Sequence, residues 1–118
     1  MSIFSKMIDG EISCNKVMEN DDFLAFHDIN PKAPIHILII PKIKIKNFQE
    51  VSPKTMAGLT SFTQEVAILL GLDKSGYRLI TNNGSDGGQE VMHLHFHLLG
   101  GAKLSWGHLS DSNSKNFI

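Results

Sequence analysis

Cysteine is nearly absent from this chain: Cys14 stands alone, which excludes an internal disulfide. An excess of charge of either sign is missing too. Eleven Lys and Arg against twelve Asp and Glu give a formal charge of −1, so no overall positive field exists to hold a nucleic-acid polymer, and any phosphate must be held locally. No apolar run approaches the roughly eighteen residues of a membrane span, and the first residues lack the basic-then-apolar pattern of a secretory signal. We therefore expect a soluble, cytoplasmic chain with no membrane partner. There is no repeat at a fixed period and no low-complexity stretch, and 118 residues suit one domain with a core of its own, part of it open to completion by a partner subunit.

What is present falls into short, well-punctuated segments. SIFSKMIDG offers Ser2 as a cap, apolar Ile3, Phe4, Met7 and Ile8 at helical spacing, and Gly10 as a stop, which predicts a short first helix. KVMEN and DDFLAFHDI flank turn-prone Asn20, Asp21 and Asp22 and predict an antiparallel hairpin. APIHILIIP, bounded by Pro34 and Pro41, reads as a strand buried on both faces. SPKTMAGLTSFTQEVAILLG opens with a Ser52 cap and Pro53, then repeats Met56, Leu59, Phe62 or Thr63, Val66 and Leu69 or Leu70, which predicts one long helix. GYRLIT and EVMHLHFHLL read as two further strands joined by the glycine-rich NNGSDGGQ. The order of elements predicts an α+β domain on an antiparallel sheet.

Three of six histidines fall within five residues, at His93, His95 and His97. Alternation along a strand puts them on one face, with Met92, Leu94, Phe96 and Leu98 on the other. Such a row suits proton transfer and nucleophilic attack near neutral pH. Zinc is the rival chemistry, with His36 or His108 as a further ligand. At about 3.3 Å per residue, however, His93 and His97 stand roughly 13 Å apart, too far to share one ion. The preceding loop carries Gly84, Gly87 and Gly88, which can turn backbone N–H groups inward as an anion nest, and Asn82 and Gln89 can add amide donors. Phosphate donors beside imidazoles able to attack phosphorus are what nucleophilic phosphoryl chemistry requires. Lys42, Lys44 and Lys46 alternate in PKIKIK and read as a solvated edge.

FHDINPKAPIHILIIPK followed by GSDGGQEVMHLHFHLLGG resembles the histidine triad (HIT) family, in its Hint branch of purine nucleotide-binding phosphoramidases. The resemblance covers about residues 3 to 101 and implies a five-stranded antiparallel sheet with one short and one long helix, continued across a homodimer. It implies a HIT domain over residues 1–101 and a C-terminal tail over 102–118 that can reach the dimer or the rim of the site. By resemblance, His95 is the nucleophile that takes the nucleotidyl group, His97 bonds the α-phosphate or the bridging atom, and His93 and His36 support them. Asp28 accepts the ribose hydroxyls. Phe26, His27, Ile29, Ile3, Phe4 and Leu38 line the base pocket, and Asn82, Gln89 and Glu90 hold the phosphate or the leaving group. The implied reaction is hydrolysis of purine nucleoside phosphoramidates on AMP or GMP. Cleavage of dinucleoside polyphosphates, or nucleotide binding with incidental turnover, are the alternatives.

The chain departs from that pattern in places. Some relatives carry a zinc-binding Cys-x-x-Cys near the N-terminus where Ser2 to Ser5 stand here, and we expect neither metal nor other cofactor. Met92 replaces a common aromatic residue. Glu90 replaces a serine found in some relatives, and a carboxylate there repels anions and favours amine leaving groups. Trp106 and His108 lie in the least transferable part of the chain.

Overall fold

The computed structural model describes residues 2–107, 109 and 110. Five strands, β1 (Lys16–Glu19), β2 (Phe23–His27), β3 (Ile35–Pro41), β4 (Arg78–Ile80) and β5 (Phe96–Gly100), form one sheet in the order β1-β2-β3-β5-β4. All neighbours are antiparallel. The helices are α1 (Ile3–Ile8), α2 (Pro53–Leu69) and the one-turn α3 (Leu72–Ser75). The α+β architecture follows the expectation, with α3 as an addition.

Local chemistry explains most element ends. The Ser2 side chain accepts the Ser5 N–H and the Ser52 side chain accepts the Thr55 N–H, each at 3.1 Å, so both expected caps form. Asn20 Oδ1 accepts the N–H groups of Asp22 and Phe23 and closes the β1–β2 turn. Gly10 follows α1 with φ +79°, a left-handed conformation that a side chain would strain.

Alternation in β2 and β3 gives the sheet two packed faces. Phe23, Ala25, Ile37 and Ile39 meet Leu59, Phe62, Val66 and Ala67 of α2. Leu24, Phe26, Leu38 and Ile40 meet Phe4 of α1 on the opposite face. β3 is thus buried on both sides, as its continuous apolar run predicts. Leu94, Phe96 and Leu98 join the α2 side.

The final strand is shorter than expected. EVMHLHFHLL reads as a strand from Glu90, yet β5 begins only at Phe96. Side chains take over where the ladder stops: Gln89 Nε2 donates to the carbonyls of Lys46 and Val91, and His93 Nε2 bonds the Pro41 carbonyl. The Leu94 N–H reaches the Ile45 carbonyl at 2.6 Å, which leaves this stretch beside the irregular chain after β3. The two-face division nevertheless persists through His93, Leu94 and His95. Met92, expected among the packed residues, is 43% exposed. Among the described residues no helix is long and apolar enough to cross a membrane.

Candidate active site

A cavity of about 400 Å³ opens between α1, the chain before β1, the end of β2 and the loop before β5. Its wall includes Ile3, Phe4, Phe26, His27, Asp28, Ile29, Leu38, Asn82, Glu90, His95 and His97 from the expected site. Phe4, Phe26 and Leu38 are buried, while Ile29 is 87% exposed and works as a rim. His36, His93 and Gln89 do not line it; they stand behind it.

The three have distinct tasks. His36 is buried on β3, and its Nε2 lies 2.9 Å from His97 Nδ1 and 3.4 Å from Asp28 Oδ2. His93 is wholly buried; its Nε2 bonds the Pro41 carbonyl and its Nδ1 has no partner among the described residues. Gln89 does not offer its amide to a phosphate. Its Oε1 accepts the Gly84 N–H while its Nε2 donates to two carbonyls. The glycine loop likewise spends amides on itself, because the Gly88 and Gln89 N–H groups donate to the Ser85 and Gly84 carbonyls. Gly84 and Gly88 have positive φ as expected, but Gly87 is needed for space: a Cβ there would stand 2.5 Å from the Asn83 carbonyl oxygen. Among the described residues, the N–H groups of Glu90 and Val91 donate to no backbone or side-chain acceptor.

Backbone partners fix the tautomers. A carbonyl oxygen only accepts, so the 2.8 Å contact of His95 Nδ1 with the His93 carbonyl puts the hydrogen on Nδ1 and the lone pair on Nε2. The Lys32 N–H donates to His36 Nδ1, which leaves the His36 hydrogen on Nε2, directed to His97 Nδ1. His97 therefore carries its own hydrogen on Nε2. Phe4 presses on the cluster with ring centroids 5.0 Å from His95 and 6.0 Å from His93, both edge-on. Asp28 is held by the Asn30 N–H on Oδ1, and its own N–H donates to the His36 carbonyl.

Burial opposes protonation of His97, His36 and His93. It pushes His97 down to about 4, helped by neighbouring His95 and His36 and opposed by Asp28. Burial also lowers His36 and His93, against the raising effects of Asp28 and of the Pro41 carbonyl respectively. The unfolded chain, with imidazoles near 6.5, thus binds more protons than the native protein once the pH falls below that value. Stability attributable to His97 is fully present above pH 6.5 and declines until about pH 4. The cavity admits solvent, so we expect a loss of roughly 2 kcal/mol rather than the full converted shift. Urea midpoints across this window should show it, and the slope should flatten in His97→Asn.

A metal reading gains only a partial frame. Ligand atoms of Asp28, His36 and His97 lie within 4.8 Å of one another. However, the 2.9 Å separation of the two imidazole nitrogens suits a shared proton, since a tetrahedral zinc site would hold them roughly 3.3 Å apart. His108 lies outside the described residues.

Sequence reasoning missed Met7, Ser13, Cys14 and Asn15, which also line the cavity. Ser13, Cys14 and Asn15 reach it only because β1 turns back beside the end of β2, where the His27 N–H bonds the Asn15 carbonyl. No local pattern announces such a contact. Lys42 pairs with Glu19 at 2.7 Å, while Lys44 and Lys46 are exposed.

The HIT domain model matches residues 9–104. A HIT-like protein from Helicobacter pylori is 54% identical over 103 residues, covering 87% of this chain and 99% of that protein. A HIT family hydrolase from Legionella pneumophila superposes with a TM-score of 0.86 at 42% identity, covering 91% of this chain and 98% of the other. A histidine triad nucleotide-binding protein from Candida albicans gives 0.79 at 30% identity, with 98% and 90% covered.

Proposed function

Because this chain belongs to the HIT domain family, we propose that it hydrolyses the P–N bond of purine nucleoside phosphoramidates, such as adenosine 5′-monophosphoramidate, through a nucleotidyl-His95 intermediate. One observation carries this reading above the others: the Nδ1–H bond to the His93 carbonyl leaves His95 Nε2 as an unengaged lone pair on the cavity wall. Similar solved structures described as a hydrolase and as a nucleotide-binding protein agree with it.

In the first step His95 Nε2 attacks phosphorus and the P–N bond breaks. The amine leaves with the bonding pair and takes up one proton from solvent. Water then attacks phosphorus and gives up one proton to solvent, the P–Nε2 bond breaks with its pair returning to Nε2, and the nucleoside monophosphate and free His95 result. In this reading the Nε2–H of His97, whose other nitrogen is held by the His36 hydrogen bond, donates to the phosphoryl oxygen or the bridging nitrogen. The apolar wall of Phe4, Phe26 and Leu38 suits a purine.

Turnover of adenosine 5′-monophosphoramidate beside diadenosine tetraphosphate tests the reading. Cleavage of the former at a kcat/KM well above the latter is expected. Preference for the polyphosphate would replace it, and binding of AMP without either turnover would point to a nucleotide-binding module.

The remaining carboxylate surface of Asp28 is proposed to accept the ribose hydroxyls. Asp28→Asn should then weaken AMP binding by roughly 1–3 kcal/mol, the scale for losing a charged acceptor, and calorimetry reads the difference. We further propose a homodimer built on the β4 edge and the end of α2. Leu79 and Tyr77 there, and Ile68 and Leu69 on α2, are all more than 40% exposed, and pairing two β4 edges continues the sheet. Light scattering at micromolar protein should return about twice the 13.1 kDa chain mass.

A further inference from the structure

The cavity has an unusual balance of charge. Among its described lining residues there is neither Lys nor Arg, and its carboxylates are Asp28 and Glu90. A phosphoryl group there is met by neutral donors: the Nε2–H of His97, the Asn82 amide and the N–H groups of Glu90 and Val91. One α-phosphate suits such donors. A second or third phosphate would find no countercharge.

The two carboxylates are not equivalent. Asp28 is tied to the Asn30 N–H and faces His36. Glu90 is exposed and makes no ion pair among the described residues. It also lines a second, shallower cavity of about 380 Å³ with Ser2, Ile3, Lys44, Val91 and Met92. Ile3, Glu90 and Val91 are common to both cavities, so Glu90 borders both the space beside His95 and His97 and the second one. A leaving group that extends from phosphorus towards the second cavity meets this carboxylate, with Lys44 as the one cation among the described lining residues of that space.

We propose, on the footing of the phosphoramidate reading, that Glu90 is a specificity-determining residue that selects the leaving group by charge, favouring amines that carry a further ammonium and opposing those that carry a carboxylate or phosphate. The bond that breaks is the same P–N bond. Glu90 takes up no proton and exchanges none in this role; its field acts on the far end of the leaving group. Two unit charges about 4 Å apart in water interact by roughly 1 kcal/mol, about fivefold, and exchanging a cation for an anion counts that effect twice. A preference of about tenfold or more between such leaving groups is therefore expected, and salt should shrink it because Glu90 is exposed.

Three adenosine 5′-phosphoramidates with matched short chains test this, made from ethylenediamine, propylamine and β-alanine. The ratio of kcat/KM for the ammonium and carboxylate compounds is the readout, so general loss of activity does not enter. In the native protein the ratio should exceed about ten at low salt. It should fall towards unity in Glu90→Gln, invert in Glu90→Lys, and decline in half-molar KCl. Equal ratios in the native protein and both variants would overturn the proposal. If the native protein cleaves none of the three, the phosphoramidate reading fails separately. Displacement of bound AMP by the same compounds then gives the ratio, with the same two outcomes.

Discussion

His95→Ala should lower kcat/KM for adenosine 5′-monophosphoramidate by at least about 10⁴-fold, the scale on which loss of a covalent nucleophile is felt. No neighbour is placed to take over. His93 is wholly buried and its Nε2 is bound to the Pro41 carbonyl. His97 lines the cavity, but its Nδ1 accepts the His36 hydrogen and its Nε2 carries a hydrogen of its own. His36 is closed off by the Lys32 N–H on one side and His97 on the other. Steady-state assays should therefore separate the histidines, with His97→Ala retaining more activity, since loss of one transition-state donor costs about 10²–10³-fold. Retained AMP binding in His95→Ala would show that the cavity survives the change. Activity within tenfold of the native protein would remove His95 from the nucleophile's role.

The second large effect is on stability. Phe62→Ala should destabilise the domain by roughly 3–5 kcal/mol, the usual cost of emptying a large aromatic site. Phe62 is 2% exposed on α2, and its ring centre lies 5.6 Å from that of Phe23 on β2. Collapse into the vacated space is hindered by the close approach of helix and strand: a Cβ added at Gly58 would already stand 3.0 Å from Phe23 Cε2. Ile37 and Ile39 behind it have no exposure to give. Chemical denaturation gives the difference directly, and Ile3→Ala on the half-exposed rim is the comparison, with an expected cost below about 1 kcal/mol. A loss under 1 kcal/mol for Phe62→Ala would mean that α2 does not anchor this face of the sheet.

The parts legible in the sequence are those with local causes. Ser2 and Ser52 announce helix starts because a cap acts within three residues, and the unbroken Ile35–Pro41 run announces a strand buried on both faces because both sides must be apolar. The alternation of His93, Leu94 and His95 was legible as facing, though not as a ladder: what pairs this stretch is a set of side chains and distant carbonyls, at Pro41, Ile45 and Lys46. Gln89 shows the limit for site residues. An amide that braces a loop and an amide that greets a phosphate have the same chemistry, and only the acceptors around Gln89 distinguish them. Cys14 and its neighbours were hidden because they reach the cavity through tertiary turning alone. In contrast, the order of imidazoles behind the site follows from β3 and β5 being neighbours: His97 pairs across to Leu38, two residues along from His36, and the two rings meet on one face.

The nucleotidyl-His95 intermediate is the centre of this account, and trapping it is the most direct test. Native protein mixed with excess adenosine 5′-monophosphoramidate is stopped in alkaline denaturant, which spares a phosphoramidate bond, then digested and weighed by mass spectrometry. The account predicts an added AMP residue on the peptide containing His93, His95 and His97, placed on His95 by fragmentation, and no adduct in His95→Ala. An AMP adduct on His93 or His97, or one that forms undiminished in His95→Ala, would contradict it.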